Sequence, residues 1–303
     1  MNKNTLHIGC HLSSSAGYLA MGKEAVRIGA DTFAFFTRNP RGGNAKPMNV
    51  QDAEALRALL VKEQFAPFVA HAPYTYNLCS DSDSNREFAR RSMAEDLKRL
   101  EYLPGNYYNF HPGSHRNQGM EEGIRMIAGA LDEVMWEDMH TMVLLETMAG
   151  KGTEVGGTFE ELRRILDLAR YPQHLGVCLD TCHVYDAGYD IAGNLDGVLE
   201  EFDRILGMEN LRAIHLNDSK NPFASHKDRH EVIGKGSLGK DTFRAVVSHP
   251  KLRDLPFVLE TPQPDNDGYM AEIAMVRKLQ ISQGNGRGGR RRKEKEPAGG
   301  EDV

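Results

Sequence analysis

Little in this chain suggests a secreted, membrane-bound or disulfide-stabilised protein. It has four cysteines in 303 residues, and none forms a Cys-x-x-Cys pair, so neither a disulfide framework nor a zinc ribbon is expected. No apolar run approaches the roughly 20 residues that span a bilayer. The polar start Met1-Asn2-Lys3-Asn4 lacks the basic and apolar regions of a signal peptide. We therefore expect a cytoplasmic protein with no membrane association, whose cysteines are small buried residues.

The chain also lacks an excess of basic residues. Its formal net charge is −6, and its final twenty residues carry six basic and four acidic groups, so the preceding 283 residues sum to −8. A nucleic-acid partner usually leaves a basic footprint on the protein surface, and the overall charge argues mildly against such a partner. Bound divalent cations would change this balance locally.

The length and the patterning predict one large domain followed by a tail. Residues 1–283 alternate apolar runs with helical patterns, and a barrel of eight strand-helix units commonly needs about 250 residues. Residues 284–303 are rich in Gly, Arg, Lys and Glu and have no apolar stripe, so they bury too little surface to offset the entropy of ordering. We predict a disordered, charged tail, whose arginines suit at most a weak, salt-sensitive contact with phosphates.

Eight short apolar runs predict the fold class. Buried parallel strands read as near-continuous apolar runs, and a helical pattern follows each run here. Eight such units close a barrel, so the sequence predicts an α/β fold, a (β/α)8 TIM barrel. The runs are residues 6–12, 32–36, 68–70, 107–110, 142–145, 176–179, 211–216 and 257–259.

Six of these runs lead directly into a side chain that can bind a metal ion. The carboxyl ends of all strands of a barrel meet on one face, where active sites of this fold are built. We therefore expect a metal site at the carboxyl ends of the strands. The six, with three further candidates from Asp-x-x-His and Asp-x-His segments, are His71, His111, Glu146, Asp180, His183, His215, Asp228, His230 and Glu260.

Nine candidate ligands are too many for one four-coordinate ion. Imidazole combined with carboxylate suits zinc, and nine ligands suffice for three ions if one carboxylate bridges two of them. A single histidine after an apolar run is more often an ordinary core or loop residue. Five at one end of a barrel are harder to explain in that way, and buried carboxylates such as Glu146 and Glu260 are costly without a partner. Metal clusters of this kind favour hydrolysis of a phosphoester.

Four segments resemble the signature sequences of the endonuclease IV family of apurinic/apyrimidinic endonucleases. They run from Asn109 to His115, from Leu179 to His183, from His215 to Ser219 and from Asp228 to His230. The resemblance extends over about residues 8–279. It implies a TIM barrel with three zinc ions that hydrolyses the backbone of double-stranded DNA 5′ to an abasic site. The products would be a 3′-hydroxyl and a 5′-deoxyribose phosphate, made in base excision repair by an enzyme expected to be a monomer.

The resemblance also distributes the nine ligands over three ions. Glu146 would be shared between the first and second ions, beside the water that attacks the phosphorus in line. Glu260 is the preferred group to deprotonate that water. By ion, the implied ligands are His71, His111 and Glu146; Glu146, Asp180, His215 and Glu260; and His183, Asp228 and His230.

DNA contacts are implied for Arg41, Tyr74 and Asn77, and His11 at the end of the first strand is expected beside the site. An abasic nucleotide has no base to stack, so turning it out of the duplex costs less than turning out an intact one. The chain departs from the family where Gly42-Gly43 follows Arg41, since better-known members have large side chains there. Glycines cannot act as wedges in the base stack, so insertion by this loop is not expected to follow the family pattern.

Two other functions fit parts of this pattern. Glu146, Asp180, His215 and Glu260 resemble the single-metal set of sugar isomerases and epimerases on a similar barrel. A barrel that stores metal or binds DNA, but has lost activity through its altered loop, is a third possibility. The five surplus ligands have no role in a one-metal isomerase, and they favour the nuclease.

Overall fold

Eight parallel strands close into a barrel in the computed structural model of the protein, which describes residues 6–40, 45 and 47–280. This confirms the predicted TIM barrel. Around the barrel each strand pairs with its neighbours in chain order, and the last strand closes on the first. In chain order, the barrel strands are β1 Ile8–Leu12, β2 Ala34–Phe36, β3 Val69–His71, β4 Tyr107–Phe110, β5 Met142–Glu146, β6 Leu175–Asp180, β7 Leu211–His215 and β10 Phe257–Leu259. Between β7 and β10, β8 Asp218–Ser219 and β9 His230–Glu231 form a separate antiparallel pair.

Helices surround the barrel and connect its strands. Several begin with a side chain that accepts a backbone N–H of the first turn, as Asn49, Thr158 and Asn194 do. Such caps satisfy N–H groups that a helix start leaves without partners. The helices of the described residues are α1 Tyr18–Arg27, α2 Val50–Lys62, α3 Asp83–Leu100, α4 Met120–Val134, α5 Phe159–Leu168, α6 Thr181–Ala187, α7 Leu195–Leu206, α8 Gly239–Ser248 and α9 Asn266–Leu279.

The inside of the barrel is lined by a layer of small and aliphatic side chains. Side chains alternate between the two faces of a strand, so the residue two positions further along also faces inward. On four strands, and directly after a fifth, that next inward residue is a predicted metal ligand, which places those ligands in one layer above the apolar one. The lining residues are Ala34, Val69, Leu144, Cys178, Ala213 and Val258, and the five ligands are His71, Glu146, Asp180, His215 and Glu260.

Some predicted features differ in detail or lie outside the described residues. His71, Glu146 and Asp180 are the last residues of their strands rather than the residues after them, and β7 ends at His215, one residue earlier than predicted. The β8–β9 pair was not predicted. All four cysteines are buried, as expected. Within the described residues, no helix has both the length and the hydropathy to cross a bilayer. Residues 41–44 and the predicted tail, residues 284–303, lie outside the described chain.

Candidate metal centre

Glu146 is the centre of a cluster of ionisable side chains at the carboxyl ends of the strands. Its side chain is fully buried at the end of β5. Its Oε2 atom lies 3.1 Å from Nε2 of His71 and 3.2 Å from Nε2 of His111, and its Oε1 atom lies 3.0 Å from Nδ1 of His215. Three imidazoles from the ends of three different strands therefore lie within 3.2 Å of one carboxylate.

A second group shares Glu146 and His215. The Nδ1 atom of His215 lies 3.2 Å from Oε2 of Glu260 and 3.9 Å from Oδ2 of Asp180. One ligand atom from each of these four residues lies within 4.8 Å of the other three. Three carboxylates gathered around one imidazole need positive charge between them.

A third group is built by α6 and the segment that leads into β9. The Nε2 atom of His183 lies 3.1 Å from Oδ1 of Asp228, and Nε2 of His230 lies 3.5 Å from the same oxygen. His230 also lies 3.6 Å from Oδ2 of Asp180. The structure thus brings all nine predicted ligands together in overlapping groups.

The hydrogen bonds of two ring nitrogens that face away from the carboxylates show whether their histidines can bind metal ions. The Nδ1 atoms of His71 and His183 lie 2.6 Å and 2.8 Å from the carbonyl oxygens of Ala72 and Thr147. A carbonyl oxygen accepts, so these Nδ1 atoms carry the protons, and each neutral ring turns an Nε2 lone pair toward a carboxylate. Two acceptors that face each other need a proton or a cation between them, and histidine ligands of metals commonly donate their other N–H to a carbonyl. The donor set therefore fits divalent ions.

The pKa shifts in the cluster also fit bound metal ions. Burial alone would raise the pKa of Glu146, but His215 and His111 outweigh it and hold that pKa well below its usual range. Burial would lower the pKa of His183, yet Asp180 and Asp228 raise it well above the ordinary value. The surroundings of Glu146 thus favour its ionised form, and those of His183 favour a bound cation on the ring. A metal ion would occupy the same positions.

A cleft of about 280 Å³ opens above the cluster. His11 lies on its wall with Nδ1 3.1 Å from Oε1 of Glu260, and burial outweighs that contact and lowers the pKa of His11. Tyr74 is 52% exposed at the rim. His11 therefore lies beside the site in the structure, and its contact with DNA stays a prediction. The cleft is lined by His11, Phe36, His71, Tyr74, His111, His183, Asp228, His230, Glu260 and Tyr269.

The other predicted DNA contacts have different surroundings. The amide of Asn77 donates to the carbonyl of Ser114 at 2.9 Å, and its oxygen accepts the backbone N–H groups of Cys79 and Ser114 at 3.1 Å. This side chain therefore links the loops after β3 and β4, and its contact with DNA stays a prediction. Arg41 and Gly42-Gly43 lie outside the described residues.

Two asparagines that orient the carboxylates were not predicted. Asn109 donates to Oε2 of Glu146 at 2.6 Å, and Asn217 donates to Oδ2 of Asp180 at 2.7 Å. The side-chain oxygen of Asn217 also accepts the backbone N–H of Glu260 at 2.8 Å. For Asn109 a signal was present, because it is a polar residue inside an otherwise apolar strand.

Comparisons with known proteins agree with this geometry. The model of the Xylose isomerase-like TIM barrel family matches residues 23–279. A protein named "Probable endonuclease 4" from Alkaliphilus oremlandii is 59% identical over 272 residues, which are 90% of this chain and 96% of the relative. The crystal structure of endonuclease IV from Thermus thermophilus matches with a TM-score of 0.80 at 34% identity, over 90% of this chain and 98% of that one.

A D-tagatose 3-epimerase-like protein matches with a TM-score of 0.67 at 17% identity, over 90% of this chain and 97% of that one. That likeness shows the fold alone, whereas the two endonuclease relatives match in sequence over nearly their whole length. The chain belongs to the endonuclease IV family, within the xylose isomerase-like TIM barrels.

Proposed function

We propose that the protein is a DNA-repair nuclease that hydrolyses the phosphodiester 5′ to an abasic site in double-stranded DNA. The products are a 3′-hydroxyl and a 5′-deoxyribose phosphate, and the enzyme acts as a cytoplasmic monomer in base excision repair. Relatives named endonuclease 4 and endonuclease IV support a nuclease. The observation that carries the proposal is the overlap of three ligand groups through Glu146 and through the contact of His230 with Asp180.

The cofactor is proposed to be zinc, with three ions per chain. The imidazole and carboxylate donors are those that zinc prefers, and a pure oxygen site for magnesium or calcium would not need five histidines. When bound, the ions lower the pKa of water and neutralise charge on the phosphoryl oxygens. By ion, the ligands are His71, His111 and Glu146; Glu146, Asp180, His215 and Glu260; and His183, Asp228 and His230.

The two catalytic carboxylates have different positions. Glu260 lines the cleft, with His11 against one oxygen and His215 against the other. It is therefore placed to take a proton from a water at the floor of the cleft. Glu146 is fully buried and does not line the cleft, and three histidines lie within 3.2 Å of its oxygens. Its role is to hold the ligand groups together beneath the reacting phosphate.

The size of the cleft favours a substrate without a base. Pockets for drug-sized ligands are commonly about 300–1,000 Å³, and this cleft, at about 280 Å³, lies just below that range. It suits a sugar phosphate better than a complete nucleotide. Tyr74 and Phe36 lie edge to face at its rim, with ring centroids 6.2 Å apart. They offer an aromatic surface to the nucleotides beside the lesion.

The test is direct. The protein is purified without added metal and incubated with a duplex that carries one synthetic abasic site, beside an undamaged duplex. The ends of the products are mapped, and zinc is measured in the same preparation. We expect a single cut 5′ to the lesion, a 3′-hydroxyl end and about three zinc ions per chain. Cleavage on the 3′ side, or equal cleavage of the undamaged duplex, would contradict the proposal.

The alternative is a sugar isomerase or epimerase. It is favoured by the group of Glu146, Asp180, His215 and Glu260, which is complete as a one-metal site, and by the shared fold with an epimerase-like protein. It gives no role to the third group around Asp228. Conversion of a ketose from a panel of sugars, by a preparation with one metal ion per chain, would support this alternative over the nuclease.

A further inference from the structure

The segment that carries Asp228 has an unusual backbone conformation. Ala224, His226 and Asp228 have φ angles of 56°, 52° and 53°, so three residues out of five are left-handed, and none of them is glycine. Residues with a side chain seldom adopt this conformation, because the Cβ atom crowds the backbone carbonyl. Interactions from elsewhere in the fold must therefore hold the segment.

The end of α6 provides those interactions. The backbone N–H of Ala224 donates to the carbonyl of Tyr185 at 3.2 Å, and that of His226 donates to the carbonyl of Asp186 at 3.0 Å. The third left-handed residue, Asp228, donates its N–H to the side chain of Asp186 instead, at 3.0 Å from Oδ2. Each of the three left-handed residues is thus fixed by one hydrogen bond to α6, and the one nearest the site depends on a carboxylate.

Asp186 is fully buried and holds the other side of the same loop as well. Its Oδ1 atom accepts the hydroxyl of Ser219 at 2.7 Å, and its Oδ2 atom also accepts the amide of Asn221 at 3.3 Å. Ser219 lies in β8 and pairs with His230 in β9. Among the described residues, Asp186 is not one of those grouped around a candidate ion. It touches both ends of the loop that carries two ligands.

We propose that Asp186 is a positioning residue for the third ligand group, which consists of His183, Asp228 and His230. By accepting the N–H of Asp228 it keeps that residue left-handed and holds its carboxylate 3.1 Å from His183. Without an acceptor, the N–H of Asp228 needs water as a partner, and the residue turns to an ordinary conformation that carries its carboxylate away. The inference rests on the proposed function for the identity of the ions, but it concerns the retention of the third ion.

The test compares Asp186→Ala with Asp186→Asn. Both variants remove the negative charge, but asparagine keeps an oxygen for the N–H of Asp228 and turns its amide toward the hydroxyl of Ser219. Zinc per chain is measured after dialysis against a graded series of chelator concentrations, and deuterium uptake is measured for residues 224–230. We expect the alanine variant to retain one of its ions about 10- to 100-fold less tightly and to exchange faster in that segment. The asparagine variant should match the wild type.

Each other outcome has a separate meaning. Loss of the ion in both variants would show that the charge of Asp186 matters rather than its hydrogen bond, and would overturn the inference. Full retention in the alanine variant would overturn it as well. A wild-type protein with fewer than three ions would instead contradict the proposed zinc centre, and deuterium uptake alone would then decide whether Asp186 holds the segment.

A second pair of variants covers the case in which Asp186→Ala does not fold. Ala224 is exposed, so its substitution leaves the core intact. Glycine adopts φ near 56° without strain, whereas proline is fixed near about −65° and has no N–H for the carbonyl of Tyr185. We expect Ala224→Gly to keep three ions and Ala224→Pro to lose the third. Equal retention in both would show that the left-handed segment is not needed.

Discussion

The two ends of the barrel both bring histidines against carboxylates, but they satisfy those carboxylates differently. At the amino end, Asp31 accepts the backbone N–H of Ile8 at 2.8 Å and the guanidinium of Arg277 at 2.9 Å, and His7 lies 3.1 Å from its other oxygen. Also at that end, Glu101 accepts the backbone N–H groups of the residues that enter β5. Backbone N–H groups and an arginine thus hold these carboxylates together with the histidines His7 and His140.

At the carboxyl end, the partners of Glu146 are side chains, among them Asn109 and three histidines within 3.2 Å. Its partners are therefore groups that bind metal ions as readily as they bind protons. The comparison teaches that a His–carboxylate contact becomes a candidate metal site when it is buried and when histidines replace backbone and arginine donors. At the amino end the same contact joins a strand to the loop beside it.

The largest difference in activity between the two ends is expected when one glutamate at each end is replaced by glutamine. Glu146→Gln removes the negative charge at the centre of the ligand groups, and it should lower cleavage of an abasic duplex by more than the roughly 100-fold typical of residues one shell further out. It should also lower the zinc content. Glu101→Gln is the matched control, and it should leave both unchanged, although it weakens the hydrogen bonds to His140 and Thr141. Cleavage at the wild-type rate by Glu146→Gln would contradict the three-ion assignment.

Removal of the metal ions should act through the carboxyl end of the barrel, where the proposed ligands lie. Ions that bind the folded chain stabilise it by about 2.7 kcal/mol per site at a free concentration of about 100 times Kd. We therefore expect chelation to abolish cleavage and to lower the urea midpoint of unfolding, and zinc to restore both. Recovery with magnesium in place of zinc would show that the histidines are not the ligands that matter.

Two exposed tyrosines test where DNA binds. Tyr74 is 52% exposed at the rim of the cleft, and Tyr102 is 45% exposed beyond the end of α3, at the amino end of the barrel. Tyr74→Ala should weaken the binding of an abasic duplex about tenfold, because stacking on an aromatic ring contributes about 1–3 kcal/mol per base. Tyr102→Ala should bind normally in the same fluorescence anisotropy titration. Equal losses would place the DNA elsewhere.

The smallest effect is expected for a change at the amino end, and it concerns the free energy of unfolding. The hydrogen bond with Asp31 is the main cause that raises the pKa of His7 above its ordinary value. The contact therefore stabilises the fold fully below about pH 6.5, the ordinary histidine value, and the stabilisation is lost as the pH rises through the raised pKa. His7→Gln should cost at most about 1 kcal/mol, because the pair is partly exposed. Urea unfolding should show the difference at about pH 5.5 and none at about pH 9. A difference that grew with pH would refute this.

The positions of the ligands could be predicted because they follow from the pattern of neighbouring residues along each strand. Inward residues recur every second position along a strand, so Leu144 and Glu146 share the barrel interior. The capping of α5 by Thr158 also follows from local sequence.

The conformation of residues 224–228 could not be predicted in the same way. No glycine marks its left-handed residues, and the acceptor that fixes Asp228 lies 42 residues earlier in the chain. The buried pair of Arg38 and Asp96, 58 residues apart, was missed for the same reason. Contacts of this kind depend on packing between elements that local patterns do not describe.

Diffraction from crystals of the protein purified without added metal, measured at the zinc absorption edge, tests the central claim most directly. We predict three anomalous peaks, each about 2.0–2.2 Å from its nitrogen and oxygen ligands. One should lie by His71 and His111, one by Asp180 and Glu260, and one by Asp228. A single peak, surrounded by Glu146, Asp180, His215 and Glu260, would contradict the account and point to the one-metal isomerase.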